Sequence, residues 1–111
     1  MDWAELEKKQ YDKDRYCCEH FAVDAYKLLT GKDVSQALLK NGLFHPSNLR
    51  NFKPLKNPKD FCFVLFRAHK TAHVGIMLNN RVLHLSDFGM VCQPLSYVAM
   101  GYSKVIFYEL N

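Results

Sequence analysis

No run of this sequence is long and apolar enough to cross a bilayer, and Met1 to Gln10 is charged, without the apolar core of an export signal. The expectation is a protein made in the cytoplasm that leaves, if it leaves, by another route. The four cysteines, at 17, 18, 62 and 92, have neither zinc-finger spacing nor the pattern of a disulfide framework. No metal and no cofactor is therefore expected. Repeats, low-complexity tracts and internal boundaries are missing, so residues 1–111 read as a single domain with its own core. Charge of one sign is also scarce: the net value is +4, and part of the excess sits in Arg50, Lys53, Lys56 and Lys59. No aromatic ladder interleaves those cations, so nucleic acid is not an expected partner.

What is present is an ordinary globular composition, 49% hydrophobic and 23% charged, organised around Tyr16 to Gly31. Counting from Cys18, apolar residues fall at Phe21, Ala22, Ala25, Leu28 and Leu29, which is one helical stripe. Gly31 stands where a left-handed C-terminal cap belongs, and Asp14 is a possible N-terminal capping group. Cys18 thus lies in the first turn, on the buried stripe, near the positive end of the helix dipole, a placement that favours a nucleophilic thiolate. Cys17 starts a different, half-polar stripe, so Cys18 is the candidate nucleophile. The bland alternative is a pair of inert buried thiols.

The remainder reads as α+β, with helices first and antiparallel strands after. Trp3 and Leu6 suggest a short packed helix, and Asp33 to Leu39 a second, with Gly42 just past its end. Leu43 to Lys59 is a long connection with Pro46, Pro54 and Pro58, either a cleft wall or a plain surface loop. Five strands are expected: Phe61–Arg67 in the centre, His73–Leu78, Val82–Ser86, a short Met90–Gln93, and Ser103–Leu110.

Asn79-Asn80 suits a two-residue turn, because asparagine tolerates positive φ. Leu78 then faces Arg81, Gly75 faces His84, and His73 faces Ser86. His73 and His84 share one face as diagonal neighbours, about 7–8 Å apart at the backbone, close enough for their rings to bond. Gly75 between them marks a close approach, which the helix start bearing Cys18 would suit. The constellation is nucleophile, base and orienter: Cys18, His73 and His84. Cross-strand packing is the bland reading of the pair, and surface placement is expected for His20, His45 and His69.

These residues resemble the NlpC-type cell-wall cysteine peptidases, a compact papain-like family. Cys18-Glu19-His20-Phe21 keeps its Cys-x-x-Phe spacing ahead of the helix to Gly31. Pro58-Lys59-Asp60-Phe61-Cys62-Phe63 is in register with its Pro-Gly-Asp-Leu-Val-Phe block. His73-Val74-Gly75-Ile76-Met77-Leu78 is similar to its base block, and Val82-Leu83-His84-Leu85 to its third-residue block. Tyr16 stands where the family has Asp, and Lys59 where it usually has Gly. The family's tyrosine upstream of the cysteine has its nearest substitutes in Tyr11 and Tyr16.

The resemblance implies a papain-like domain and a Cys18–His73–His84 triad without metal. It implies hydrolysis of an amide in peptidoglycan stem peptides, between D-glutamyl and a diamino acid. Tyr11, Tyr16, Lys53 and Lys56 are the expected substrate-binding residues. The likeness to bacteriophage tail-assembly members implies phage tail proteins as partners and a virion-associated location. Other readings of the same fold are a CHAP-like amidase or transamidase and a non-catalytic structural module.

Overall fold

The computed structural model describes residues 1–40 and 45–111. Gly42 and Leu43, invoked above for a helix end and a loop start, lie outside the described residues. Three helices come first: α1 (Trp3–Glu7), α2 (Cys18–Thr30) and α3 (Ser35–Leu39). A 3₁₀ turn, Pro46–Asn51, leads into β1 (Phe52–Leu55). Then follow β2 (Phe63–Arg67), β3 (Ala72–Leu78), β4 (Arg81–Ser86), β5 (Gly89–Pro94), α4 (Leu95–Ala99) and β6 (Lys104–Leu110). The described strands form one antiparallel sheet in the order β1-β6-β2-β3-β4-β5.

Helix α2 forms where its apolar spacing requires. Phe21, Ala22 and Ala25 are fully buried, and Gly31 ends the helix at φ 78°, a left-handed conformation that costs glycine little. The N-cap is Cys17 and not Asp14, whose own N–H instead bonds Asp12 Oδ1 at 3.0 Å in the preceding turn. His20 completes the start, its Nδ1 accepting from the Cys17 N–H at 3.1 Å. This histidine is therefore part of a helix cap rather than a free surface group. In α1, Leu6 is fully buried but Trp3 remains 40% exposed.

Two apolar layers sandwich the sheet. Phe63 and Leu65 of β2, Val74 and Ile76 of β3, and Leu83 and Leu85 of β4 pack with Cys18, Phe21 and Ala22 of α2. The alternate residues Val64, Phe66, Met77 and Val82 pack with Val98 of α4. A strand covered on both faces needs no polar alternation, which is why β2 reads as an unbroken apolar run. That run begins at Phe63 and not at Phe61, because Phe61 sits at φ 70° in a turn closed by the Cys62 N–H donating to the Lys59 carbonyl.

The sheet has six described strands, one more than the sequence suggests. The additional one, β1, contains Pro54, which an edge position tolerates because no ladder donor is lost there. Its Lys53 pairs with Glu109 of β6 at 3.0 Å, and Lys59 pairs with the same carboxylate.

The β3–β4 hairpin has the expected register, with Ile76 opposite Leu83, Met77 opposite Val82 and Leu78 opposite Arg81. Asn79 and Asn80 take φ of 51° and 65°, the twist-matched turn for a two-residue loop. Asp60 pins it, its Oδ1 accepting from the Asn79 N–H at 2.8 Å. The close approach at Gly75 comes from β4, not from the helix. A Cβ there would lie 2.5 Å from Val82 Cγ1, 3.0 Å from the Leu83 carbonyl oxygen and 3.2 Å from His84 Cβ. Helix α2 packs on the opposite face, beside Val74 and Ile76. Gly75→Ala must push β3 from β4, and overpacking of this kind costs about 1–3 kcal/mol. Thermal denaturation should register that loss, and an unchanged melting temperature would show that the hairpin opens freely.

Candidate active site

A cleft of about 930 Å³ opens where the start of β3, the end of β4 and the start of α2 meet. Cys17 and Cys18 line it from the helix, His73 from β3, His84 from β4, and Tyr97, Met100 and Tyr102 from the segment spanning α4 to β6. Tyr11, Lys13 and Asp87 complete its polar edge. The spacing argument for the histidines is realised in detail: His73 Nε2 lies 2.8 Å from His84 Nδ1, with the rings edge-on at 82°. The ring of His73 packs against Tyr102, nearly parallel at 6.2 Å, and Phe66 at 6.2 Å, two rings that also touch each other at 5.3 Å. A second bond continues the chain, His84 Nε2 to Gln93 Oε1 at 2.8 Å.

The two cysteines differ in role. Cys17 is the helix cap, and its Sγ is 3.5 Å from His20 Nδ1. Cys18 is the first helical residue, and its sulfur accepts from the Val74 N–H, next to His73 in β3. His73 uses Nε2 for His84, which leaves Nδ1 as the nitrogen able to take a thiol proton.

Electrostatics correct one expectation. Burial pushes the Cys18 thiol up to about 12, against the opposing pull of the Val74 N–H. Burial and the neighbouring His84 push His73 down to about 4, and burial lowers His84 as well. Desolvation of these part-buried groups therefore outweighs the helix dipole, and the resting pair is neutral thiol and neutral imidazole, not thiolate and imidazolium.

The other expected binding residues divide. Tyr11 lines the cleft, and it is 43% exposed there. Tyr16 does not line it: its hydroxyl donates to Asp24 Oδ2 at 2.7 Å, its ring stacks on His20, and Lys9 lies over it. Lys53 and the segment through Lys56 lead from β1 at the far edge of the sheet, and neither lysine lines the cleft. The described part of the 43–59 connection thus builds the 3₁₀ turn and β1 rather than a cleft wall. Sequence reasoning missed Gln93, Tyr102, Lys13 and Asp87. For Gln93 a signal existed: a two-residue turn at Asp87-Phe88 pairs Ser86 with Gly89 and Val82 with Gln93, placing Gln93 on the face of His84.

No protein-family model matches this chain, and no curated protein matches it. Among the described residues, no helix is long and apolar enough to cross a membrane, and no cluster of three or more His, Cys, Asp or Glu could hold a metal.

The neutral histidines have a consequence for stability. Both are depressed in the fold, so below the ordinary histidine value of about 6.5 the unfolded chain binds more protons than the native one. Stability should be fully present above that value and fall as the pH drops toward 4. A proton NMR titration should place the His73 midpoint near 4; a midpoint at or above the ordinary value would contradict the buried neutral pair.

Proposed function

We propose that this chain is a papain-like cysteine hydrolase of the NlpC type. Its substrate would be a peptidoglycan stem peptide, cut at the amide between D-glutamyl and a diamino acid. The observation that carries the reading is the meeting, in one cleft, of a helix-start thiol and an imidazole whose far nitrogen is bonded to a second imidazole. Cys18 Sγ would attack the carbonyl carbon while its proton passes to His73 Nδ1. Collapse of the tetrahedral intermediate would break the C–N bond as His73 returns that proton to the leaving amine. Water would then attack the thioester, again through His73, releasing the acid and restoring the thiol. His84 would hold the His73 ring and soften its transient charge.

The neutral resting pair fits this general-base route, in which charge separates only as the carbonyl is attacked. Lys13 and Asp87 in the same cleft suit a substrate carrying both carboxylates and an amine. Phage tail proteins are the partners that go with this reading, and a virion its location. One observation favours a rival, a non-catalytic module of the same fold: a thiol pushed up to about 12 is no ready nucleophile by itself.

Digestion of purified muropeptides with mass-spectrometric mapping separates the two. The hydrolase should yield fragments ending at D-glutamyl. Cys18→Ala should lower the rate on the order of 10³-fold or more, and Cys17→Ala should leave most of it. His73→Ala should cost more than His84→Ala, because a proton shuttle is harder to replace than its orienter. Intact muropeptides would favour the structural module, and loss through Cys17→Ala alone would move the nucleophile to Cys17.

A further inference from the structure

We propose that Gln93 is a positioning residue that sets the direction of the hydrogen-bond relay through His84 to His73. The inference rests on the hydrolase reading for its meaning, but its geometry stands apart from it. An imidazole can donate through one nitrogen and accept through the other, so a chain of two has two possible directions. Only one of them leaves His73 Nδ1 unprotonated and able to take a proton from a thiol.

The far end of the chain decides which. Gln93 presents its carbonyl oxygen, Oε1, at 2.8 Å from His84 Nε2, and a carbonyl oxygen only accepts. His84 must then carry its proton on Nε2 and offer the Nδ1 lone pair to His73, 2.8 Å away. His73 donates through Nε2 and keeps Nδ1 as the base. An amide turned the other way would donate, reverse every bond in the chain and protonate the nitrogen the chemistry needs free.

The backbone brings the two side chains together. Gln93 lies opposite Val82 in the β4–β5 ladder, so its side chain and that of His84 are diagonal neighbours on one face. The bond to Gln93 also pulls the His84 value upward against burial. The charged groups lining the same cleft are Lys13 and Asp87, from the approach to α2 and the β4–β5 turn, and its other titratable groups are the two thiols and the phenols of Tyr11, Tyr97 and Tyr102. None of these is hydrogen-bonded to either ring.

Nitrogen-15 NMR of the full chain reads the tautomers directly, with no substrate. Both His73 and His84 should be protonated at Nε2 near neutral pH, and Gln93→Leu should redistribute both. A second readout is the pH profile for alkylation of Cys18 by iodoacetamide. Gln93→Leu should lower its plateau roughly 10- to 100-fold, as loss of an outer tautomer-fixing partner does. Gln93→Glu still accepts at Nε2–H, so it should keep the plateau within a few fold. Its carboxylate favours the His84 imidazolium, so the acid limb should move to higher pH. A side chain that merely packs would give no such shift. The proposal is overturned if His84 carries its proton on Nδ1, if Gln93→Leu leaves the tautomers unchanged, or if Gln93→Glu loses as much as Gln93→Leu without moving the acid limb. Intact muropeptides alongside the expected tautomers would reject the substrate reading and leave the relay standing.

Discussion

The 2.8 Å bond between His73 Nε2 and His84 Nδ1 depends on a short chain of local causes. Two asparagines accept positive φ, so the hairpin closes in two residues. That loop length brings His84 beside Gly75, on the face of His73. One residue more in the turn would send His84 to the other face, since side chains alternate along a strand. Gly75 leaves room for that approach, since a Cβ there would lie 3.2 Å from His84 Cβ. Asp60 holds the turn from outside, and Gln93 receives the far end of the histidine pair. Each element serves the relay.

The thiol arrives from the other layer. Helix α2 lies against Val74, Ile76, Leu83 and Leu85, whereas the histidines project from the alternate positions of the same strands. The two meet only at the end of the sheet, where the cleft opens. Cys18 is buried and His73 partly so at the floor of the cleft, and desolvation dominates their protonation. The helix dipole contributes about 0.3–1 kcal/mol at an exposed site. Burial, which pushes the Cys18 thiol up to about 12, opposes it by more than that. The neutral pair follows, and under the proposed hydrolysis the proton would move during attack.

Much of the architecture was legible because its causes are local. The apolar stripe from Phe21 to Leu29, Gly31 as a cap, the Asn79-Asn80 turn and the register beyond it all follow from spacing within some twenty residues. What was not legible depends on partners far along the chain. Strand β1 exists because β6, more than fifty residues later, receives it. Helix α4 has no capping side chain and is held by Val98 beneath the sheet. Lys53 is drawn to Glu109 on the neighbouring strand β6, at the side of the sheet away from the cleft. Tyr16 resembles a substrate contact only by its place before the cysteines, and Asp24, two turns along α2, takes its hydroxyl. The protonation of Cys18 is not legible either, because the sequence shows the helix end but not the depth of burial above it.

The claim at the centre is a covalent bond to Cys18 formed with the help of His73. Acid-quenched mass spectrometry of the chain during turnover of a D-glutamyl–diamino acid stem peptide tests it directly. The account predicts an acyl adduct on the Cys18 peptide as a thioester, absent in His73→Ala. An adduct on Cys17, or acylation of Cys18 that persists undiminished without His73, would contradict it.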